Sequence, residues 1–559
     1  MEILILILTL LFRLIISTEI PPSCESHIYC EGDLLHQVQM SGLYKDSKTF
    51  VDKSLLTDPI TIIEDFYKLK SGYKDGQLPL EVIKSFVKQN FVNIAVLEAW
   101  TPPDWTPNPS ISKSINDPKY KKWSLDLNDI WKDLSRKTQD SIAEYPDRHS
   151  IIYVPNGFIV PGGRFNELYY WDTLWIVNGV LLCDMFKTAK GIIENLLHLV
   201  KLFGFVPNGS RIYFTQRSQP PTLTLMVDSY FKTTNDFQFI KDNIDVLDRE
   251  MDFWNTGRIV EVYVKGKSYL MYRYYAVSSG PRPESYREDM ATVSSLKSDE
   301  EKTSKFIELK SGAESGWDFS SRWYRTEGFE NLNLTNIRTS TIIPVDLNSL
   351  LHKCFATLSN WYYLLGDSIK YKQYKDLADQ LLDAIENVFW NEKDGIWYDY
   401  DLMTHSQRKY FYMSNFAPLW TKSYNFNPLY ISNKITNYLI KYKLIKYVGG
   451  TPTSHDFSSQ QWDFPNAWPP LQAFLIQGLE NIGTQQTSEA AFFLANKWLR
   501  SNYQGFKKYH KMFEKYDSLK VGESGAGGEY EAQNGFGWTN GIALEFLNKW
   551  GKELISEFS

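Results

Sequence analysis

Residues 160–175 read VPGGRFNELYYWDTLW, which sets two glycines, a guanidinium, two carboxylates and an aromatic run within sixteen positions. An ordinary core strand or helix has little use for that mixture. Gly162 and Gly163 let the backbone bend, or approach a ligand where a Cβ would clash. Arg164 offers a planar fork of donors, Glu167 and Asp172 accept hydrogen bonds, and Phe165, Tyr169, Tyr170, Trp171 and Trp175 supply flat apolar faces. A polyhydroxylated ligand uses all three, because its hydroxyls take charge-assisted hydrogen bonds and its C–H faces pack on aromatic rings. The same residues also fit a loop closing onto a helix with Arg164 in a structural salt bridge. This stretch alone leaves both readings open.

A second long, aromatic-rich motif, QWDFPNAWPP at residues 461–470, stands three hundred residues downstream. Together with PGGRFNELYYWD, residues 161–172, it makes the chain resemble the trehalase family of glycoside hydrolases, whose two signatures these are similar to, in the family's order. One departure is visible. The family usually has Tyr two residues after the first signature's Asp, and Leu174 stands there, a packing change beside intact polar groups. The resemblance implies an all-α fold, a six-hairpin (α/α)6 barrel, acting on α,α-trehalose with no metal or organic cofactor.

Outward from these motifs, apolar residues recur at three and four through most of the chain, as one face of a helix requires. The pattern predicts helices over Ile60–Leu69, Leu80–Phe91, Leu127–Ile142, Thr188–Phe203, Leu350–Leu365, Tyr371–Trp390, Pro428–Tyr442, Pro470–Ile482, Ser488–Trp498 and Gly541–Ile555, with Gly204 and Gly366 as stops. Strand-like alternation is brief, mainly Ile151–Val154, Ile259–Val264 and Tyr269–Tyr275. Many helices in one unbroken chain, joined by Gly-, Pro- and aromatic-rich loops, predict a closed toroid of helical hairpins with chemistry at one rim. No fixed-period repeat argues for a solenoid.

At 559 residues with 43% hydrophobic and 15% aromatic content, the chain can bury a large core. No linker divides it, so residues 19–559 read as one trehalase-like catalytic domain, with 19–57 an irregular N-terminal segment. A net charge of −6 argues against nucleic acid or an anionic membrane as partner and favours a small neutral molecule. The first eighteen residues, MEILILILTLLFRLIIST, read as a secretory signal peptide, too short to span hydrocarbon, and the C-terminus carries no anchor. A secreted, extracellular protein is therefore expected. Cys24 and Cys30 flank a short loop and can bridge in an oxidising compartment, whereas Cys183 and Cys354 lie in apolar helical patterns. No histidine or cysteine spacing suits a metal. Of two sequons, Asn208-Gly-Ser and Asn333-Leu-Thr, Asn333 is the expected glycan carrier.

Three further polar motifs interrupt the helices. GFVPNGSRIYFTQRSQPP, residues 204–221, is a proline-stiffened polar loop that on its own reads as a surface turn; by resemblance Asn208, Arg217, Ser218 and Gln219 line the sugar site. PRPESYRED, residues 281–289, holds Arg282 and Glu284 about a proline, and resemblance makes both substrate ligands, together with Arg164, Trp171, Asp172 and Gly316. The charge-dense stretch after it, Glu288–Lys310, reads as an exposed segment, a candidate flap.

The catalytic candidates come last in the chain. In AESGWDFSSRWY, residues 313–324, Asp318 sits between Trp317 and Phe319, surroundings that disfavour its charged form. A carboxyl so placed can be lifted from about 3.9 toward about 6 and donate a proton. A helix N-cap or a partner for Arg322 is the other reading; resemblance places Asp318 at the general acid. In Lys511–Gly541 resemblance places Glu514 at the general base and Glu529 at a substrate ligand, with Lys515 beside Glu514 to help keep it ionised. The glycine-rich run Gly522–Gly528 can carry a mobile loop. Trp462 and Trp468 fit both internal packing and a sugar platform, and Asp463 a structural or supporting role. The expected chemistry is inverting hydrolysis of α,α-trehalose, with carboxyls roughly 6.5–9.5 Å apart to admit a water. The alternatives are another α-glucoside on the same barrel, or a catalytically silent trehalose-binding protein.

Overall fold

Segments with an apolar stripe and segments apolar all round take different places in this chain, and that difference organises the computed structural model, which describes residues 20–328, 332–531, 533 and 535–556. The expected signal segment, 1–18, lies outside the described residues. Twelve helices form two rings: α1 Pro118–Leu134, α2 Asp172–Leu182, α3 Phe186–Phe203, α4 Leu223–Thr234, α5 Phe237–Gly257, α6 Val345–Leu365, α7 Ser368–Ala384, α8 Ala417–Thr421, α9 Pro428–Lys441, α10 Pro469–Ile482, α11 Gln485–Tyr509 and α12 Gly537–Trp550. The even-numbered helices pack in the order α2, α4, α6, α8, α10, α12, and α12 returns to α2. The odd-numbered ones lie outside: α3 against α2 and α4, α5 against α4 and α6, α7 against α6, α9 and α11 against α10, and α1 against α12. This is the expected six-hairpin barrel.

The inner helices are buried on nearly every side. In α2 the buried set runs from Asp172 to Val177 and from Gly179 to Leu181, leaving no solvent face. The outer α3 buries one stripe, Ile192, Ile193, Leu196, Leu197 and Val200, and leaves Leu202 exposed. The ring closes where α2 meets α12 with no side chain between: a Cβ on Gly179 would stand 2.8 Å from the Gly541 Cα, and one on Gly541 would stand 1.9 Å from the Trp175 carbonyl oxygen.

Several sequence expectations need correction. The helix expected over Leu127–Ile142 is α1, which starts earlier because Asp117 accepts from the Lys119 and Tyr120 N–H groups ahead of it. It ends at Leu134, and Ser135–Thr138 is a strand between Leu97–Ala99 and Phe158–Ile159. Ile151–Val154 contributes only a single bridge, Ile151 to Arg211, so alternation there reflects burial and not a sheet. Ile259–Val264 is a strand as expected, and the strand expected over Tyr269–Tyr275 runs instead over Lys267–Tyr272, the two pairing as a hairpin. The charged stretch expected to be a flap is mostly the helix Asp299–Glu314, started by a reciprocal Ser298–Glu301 capping box and buried through Phe306, Ile307 and Leu309.

The segment 19–57, expected to be irregular, holds the helix Asp33–Met40 and the turn Lys48–Val51, and Ser54–Leu55 pairs with Phe91–Val92. Its helices are too short for periodicity to register. With Pro59–Ser71 and Leu80–Asn90 they build a second apolar cluster that reaches Tyr169, Phe214 and Tyr286 at the barrel rim. Cys24 and Cys30 are disulfide-bonded within it, and Cys183 and Cys354 are buried thiols.

Gly541→Ala is expected to lower stability by about 1–3 kcal/mol through overpacking at the closing seam. Gly257→Ala, at the open C-terminal end of α5 where a Cβ meets nothing, is expected to be neutral or stabilising by up to about 1 kcal/mol. Denaturant midpoints of the two variants check the contrast.

Candidate active site

Each inner helix is entered from a loop at the same end of the barrel, and the polar motifs are those loops. The first signature leads into α2, residues 204–221 into α4, the second signature into α10 and residues 511–536 into α12. The long connection before α6 brings Arg282, Glu284 and Asp318. These loops meet around one pocket with about 640 Å³ of space between side chains, part of it open solvent. Its wall includes Arg164, Trp171, Asp172, Asn208, Arg217, Gln219, Arg282, Glu284, Gly316, Asp318, Glu514 and Glu529. Of the residues that resemblance places in the site, Ser218 is off this wall: its hydroxyl donates to the Val206 carbonyl and its N–H to Glu314.

The cations on the wall are held by carboxylates. Arg164 donates to both oxygens of Asp46, at 2.7 and 2.9 Å, and lies over the Tyr530 ring. Arg217 donates to Asn208 Oδ1 at 2.9 Å and to Glu284 at 2.5 Å. Arg282, fully buried, donates to Asp289 at 2.6 Å and Glu529 at 2.8 Å with its guanidinium over Phe319. Burial works against the Glu284 charge, but Arg217 and Arg282 outweigh it and hold the carboxyl below its usual range. Gln219 accepts from the Trp171 N–H. Gly316 is in the left-handed region at φ 75°, and a Cβ there would stand 2.9 Å from the Trp171 ring.

The acid candidate behaves differently. Burial raises Asp318 to about 7, against the opposing pull of Arg282. No ion pair among the described residues fixes its carboxyl, and Arg322 turns away to Asp346 and Asp399, so neither structural reading of Asp318 holds; Ser320, not Asp318, caps the turn that follows. Its loop is clasped by the second signature: Gln461 donates to the Asp318 carbonyl at 2.6 Å and the Trp462 N–H to the Phe319 carbonyl at 3.0 Å. Asp463 accepts from Ser320, Ser321, Ser454 and Ser458, a wholly structural knot. Trp462 stacks on Trp468 at 3.7 Å, and both reach the pocket, so packing and platform coincide.

Glu514 is more deeply buried than Asp318, which is partly exposed. Its pKa is raised by burial and restrained by Lys515, the Gln533 N–H and the Tyr530 hydroxyl, the last donating at 2.9 Å. Lys515 stands 4.0 Å away and spends its hydrogen bonds on Gln461 and the Gly527 carbonyl. Asp172, at the first turn of α2, is lifted to about 8 by burial, with the Glu514 and Asp318 charges adding to the shift. Burial thus raises Asp318, Glu514 and Asp172 alike, while the arginines hold Glu284 below its usual range.

A trehalase family model matches residues 42–551. The chain belongs to the trehalase family. It is 46% identical over 528 residues to the trehalase of Pimpla hypochondriaca, covering 94% of this chain and 90% of that one, and 44% identical over 539 residues to the human trehalase, covering 96% and 91%. Among solved structures it is similar to the neutral trehalase of Saccharomyces cerevisiae, with TM-score 0.55, 23% identity and 70% and 73% of the two chains covered, a likeness of fold.

For a member of this family three expectations change. Glu167 does not face the sugar pocket; it is buried against Lys48, Arg211 and the Tyr169 hydroxyl, because the N-terminal layer brings Lys48 to it. Glu514, expected in a more polar setting than Asp318, is the more deeply buried of the two, its polar surroundings being the Tyr530 hydroxyl, the Gln533 N–H and Lys515. The glycine run 522–528 does not hang free: Asn466 bonds both backbone groups of Ala526, and Gly525 and Gly528 pass so close to Asn466 and Gln461 that a Cβ would clash. Tyr530 was not singled out from sequence; its place directly after Glu529 was the one available signal. Tyr530→Phe removes a bond that favours ionised Glu514, so the acidic limb of the activity profile is expected to move to higher pH, with kcat/KM lowered about tenfold. A pH series of kcat/KM checks the direction.

Proposed function

We infer that this trehalase-family chain hydrolyses α,α-trehalose with inversion, Asp318 protonating the glycosidic oxygen while Glu514 draws a proton from a water on the opposite face of the ring. One observation carries the reading: Asp318 and Glu514 line a single pocket otherwise walled by paired arginines and tryptophans. Trehalose joins two glucoses through both anomeric carbons, and the pocket offers ligands on more than one side. Trp171, Trp462 and Trp538 supply apolar faces, while Asn208, Arg217, Gln219, Arg282, Glu284 and Glu529 supply directed polar groups. Because the arginines are already paired, they change little on binding, and preorganised dipoles of that kind stabilise developing charge without reorganisation. A silent binding role would leave a proton-bearing Asp318 and an oriented Glu514 without use.

We also read the chain as a secreted glycoprotein. The apolar leader in the sequence, the Cys24–Cys30 disulfide and the exposed sequon at Asn333 support it. Asn208 is buried and bonded to Arg217, so the glycan belongs on Asn333.

Asp318→Asn is expected to lower kcat at least about a hundredfold with folding intact; near-normal turnover of trehalose would remove Asp318 as the acid. Glu514→Gln should fall as far and recover with azide, giving a glucosyl azide. The wild type should give a bell-shaped profile. Its alkaline limb follows Asp318, raised to about 7, since activity is lost as the acid deprotonates with rising pH. Maltose and isomaltose tested beside trehalose check the substrate, and faster cleavage of either would overturn it.

A further inference from the structure

The opposite end of the barrel holds a second cavity that the chemistry above does not use. It lies between the C-terminal halves of α2, α4, α8, α10 and α12, with about 1,240 Å³ of space between side chains, part of it open to solvent. A smaller cavity of about 540 Å³ adjoins it, and the two share Asn178, Ser229, Trp420 and Gln477. Leu174 lines the smaller one.

The wall has the composition of a sugar site. Trp420 is held flat by Phe474, stacked at 4.6 Å, and by Trp175 at 6.2 Å, and its indole N–H donates to Gln477 Oε1 at 2.7 Å. Asn178 donates to Glu545 Oε1 at 2.9 Å, and Gln477 stands beside the same carboxyl. Asn178 Oδ1 and Glu545 Oε2 are shut off from solvent with no hydrogen-bond partner of full geometry among the described residues, and burial raises the Glu545 carboxyl to about 7 against the pull of Asn178 and Gln477. Buried acceptors of this kind cost free energy unless a donor reaches them. The charge around them favours a neutral donor. Lys232 is paired with Asp228 at 2.6 Å and Lys549 with Glu480 at 2.9 Å, and burial lowers the pKa of Lys353 on the wall of the adjoining cavity, so charge at the mouth is largely compensated, and lysines there oppose a metal ion.

We propose that this mouth of the barrel binds a neutral hydroxylated molecule of monosaccharide size, its hydroxyls donating to Asn178 and Glu545 and its C–H face lying on Trp420. The site is separate from the catalytic pocket and does not depend on the catalytic assignment. Ser229→Trp fills it from α4, and Leu174→Tyr fills it from α2; either serves if the other fails to fold.

The test is a D-glucose titration followed by the tryptophan indole N–H resonances, with that of Trp420 assigned through Trp420→Phe. A saturable shift of the Trp420 resonance is expected in the wild type. In a filled variant its apparent affinity should be weaker by about tenfold or more, with kcat/KM for trehalose kept within about twofold. A Trp420 resonance that stays still at glucose concentrations saturating the shifts of Trp171 and Trp462 would overturn the proposal, as would an equal shift in both filled variants.

Discussion

The six inner helices close into a ring where α2 and α12 approach backbone to backbone through Gly179 and Gly541, with Trp131 packed beside them. Once that seam is closed, α2 and α12 enter the barrel side by side, and the loops preceding them face each other. Those loops carry Arg164, Trp171 and Asp172 on one side and Glu514, Glu529 and Tyr530 on the other. The partial positive ends of the inner helices also point toward this rim, which suits a pocket rich in carboxylates. Backbone closure and the placing of the catalytic groups are therefore one constraint seen at two scales.

The rim buries an unusual amount of charge, and it does so in linked pairs. Arg282 joins Asp289 on its own loop to Glu529 about 250 positions later, and Arg217 joins Asn208 to Glu284. Removing one member of such a pair strands the other in a low-dielectric setting, commonly at a cost of about 3–5 kcal/mol. The lattice therefore ties loops together as well as presenting donors to substrate. Asp318 is held differently: its backbone is clasped by Gln461 and Trp462, the loop behind it by Asp463, and its carboxyl is left free of any cation partner. Position is rigid while protonation is not. That separation lets one side chain give up a proton without the site reorganising.

Much of the barrel was legible where a helix has one wet face. The stripes of α3, α7 and α9 show in the sequence because solvent imposes the period. In α2, buried all round, the period vanishes, and its signature had to be recognised by resemblance. The start of α1 hid in an Asp-Pro cap ahead of the apolar pattern, and the strand 135–138 in residues that continue a helical period. Within the site, the motifs named nearly every pocket residue, but not which way each pointed. Glu167 and Ser218 sit inside the right motifs and face the wrong way, because Lys48, Arg211, Val206 and Glu314 claim them from elsewhere in the chain. Asp46 and Tyr530 were missed for the same reason: an ion pair over 118 positions or a hydroxyl aimed at Glu514 leaves no local trace.

The most direct measurement is an NMR time course of trehalose with the purified protein, reading both anomers of released glucose before mutarotation mixes them. A single inversion, with Asp318 as acid and Glu514 as base, predicts equal initial amounts of α- and β-glucose. Initial release of α-glucose alone would mean a retaining double displacement and would contradict the roles given to the two carboxylates.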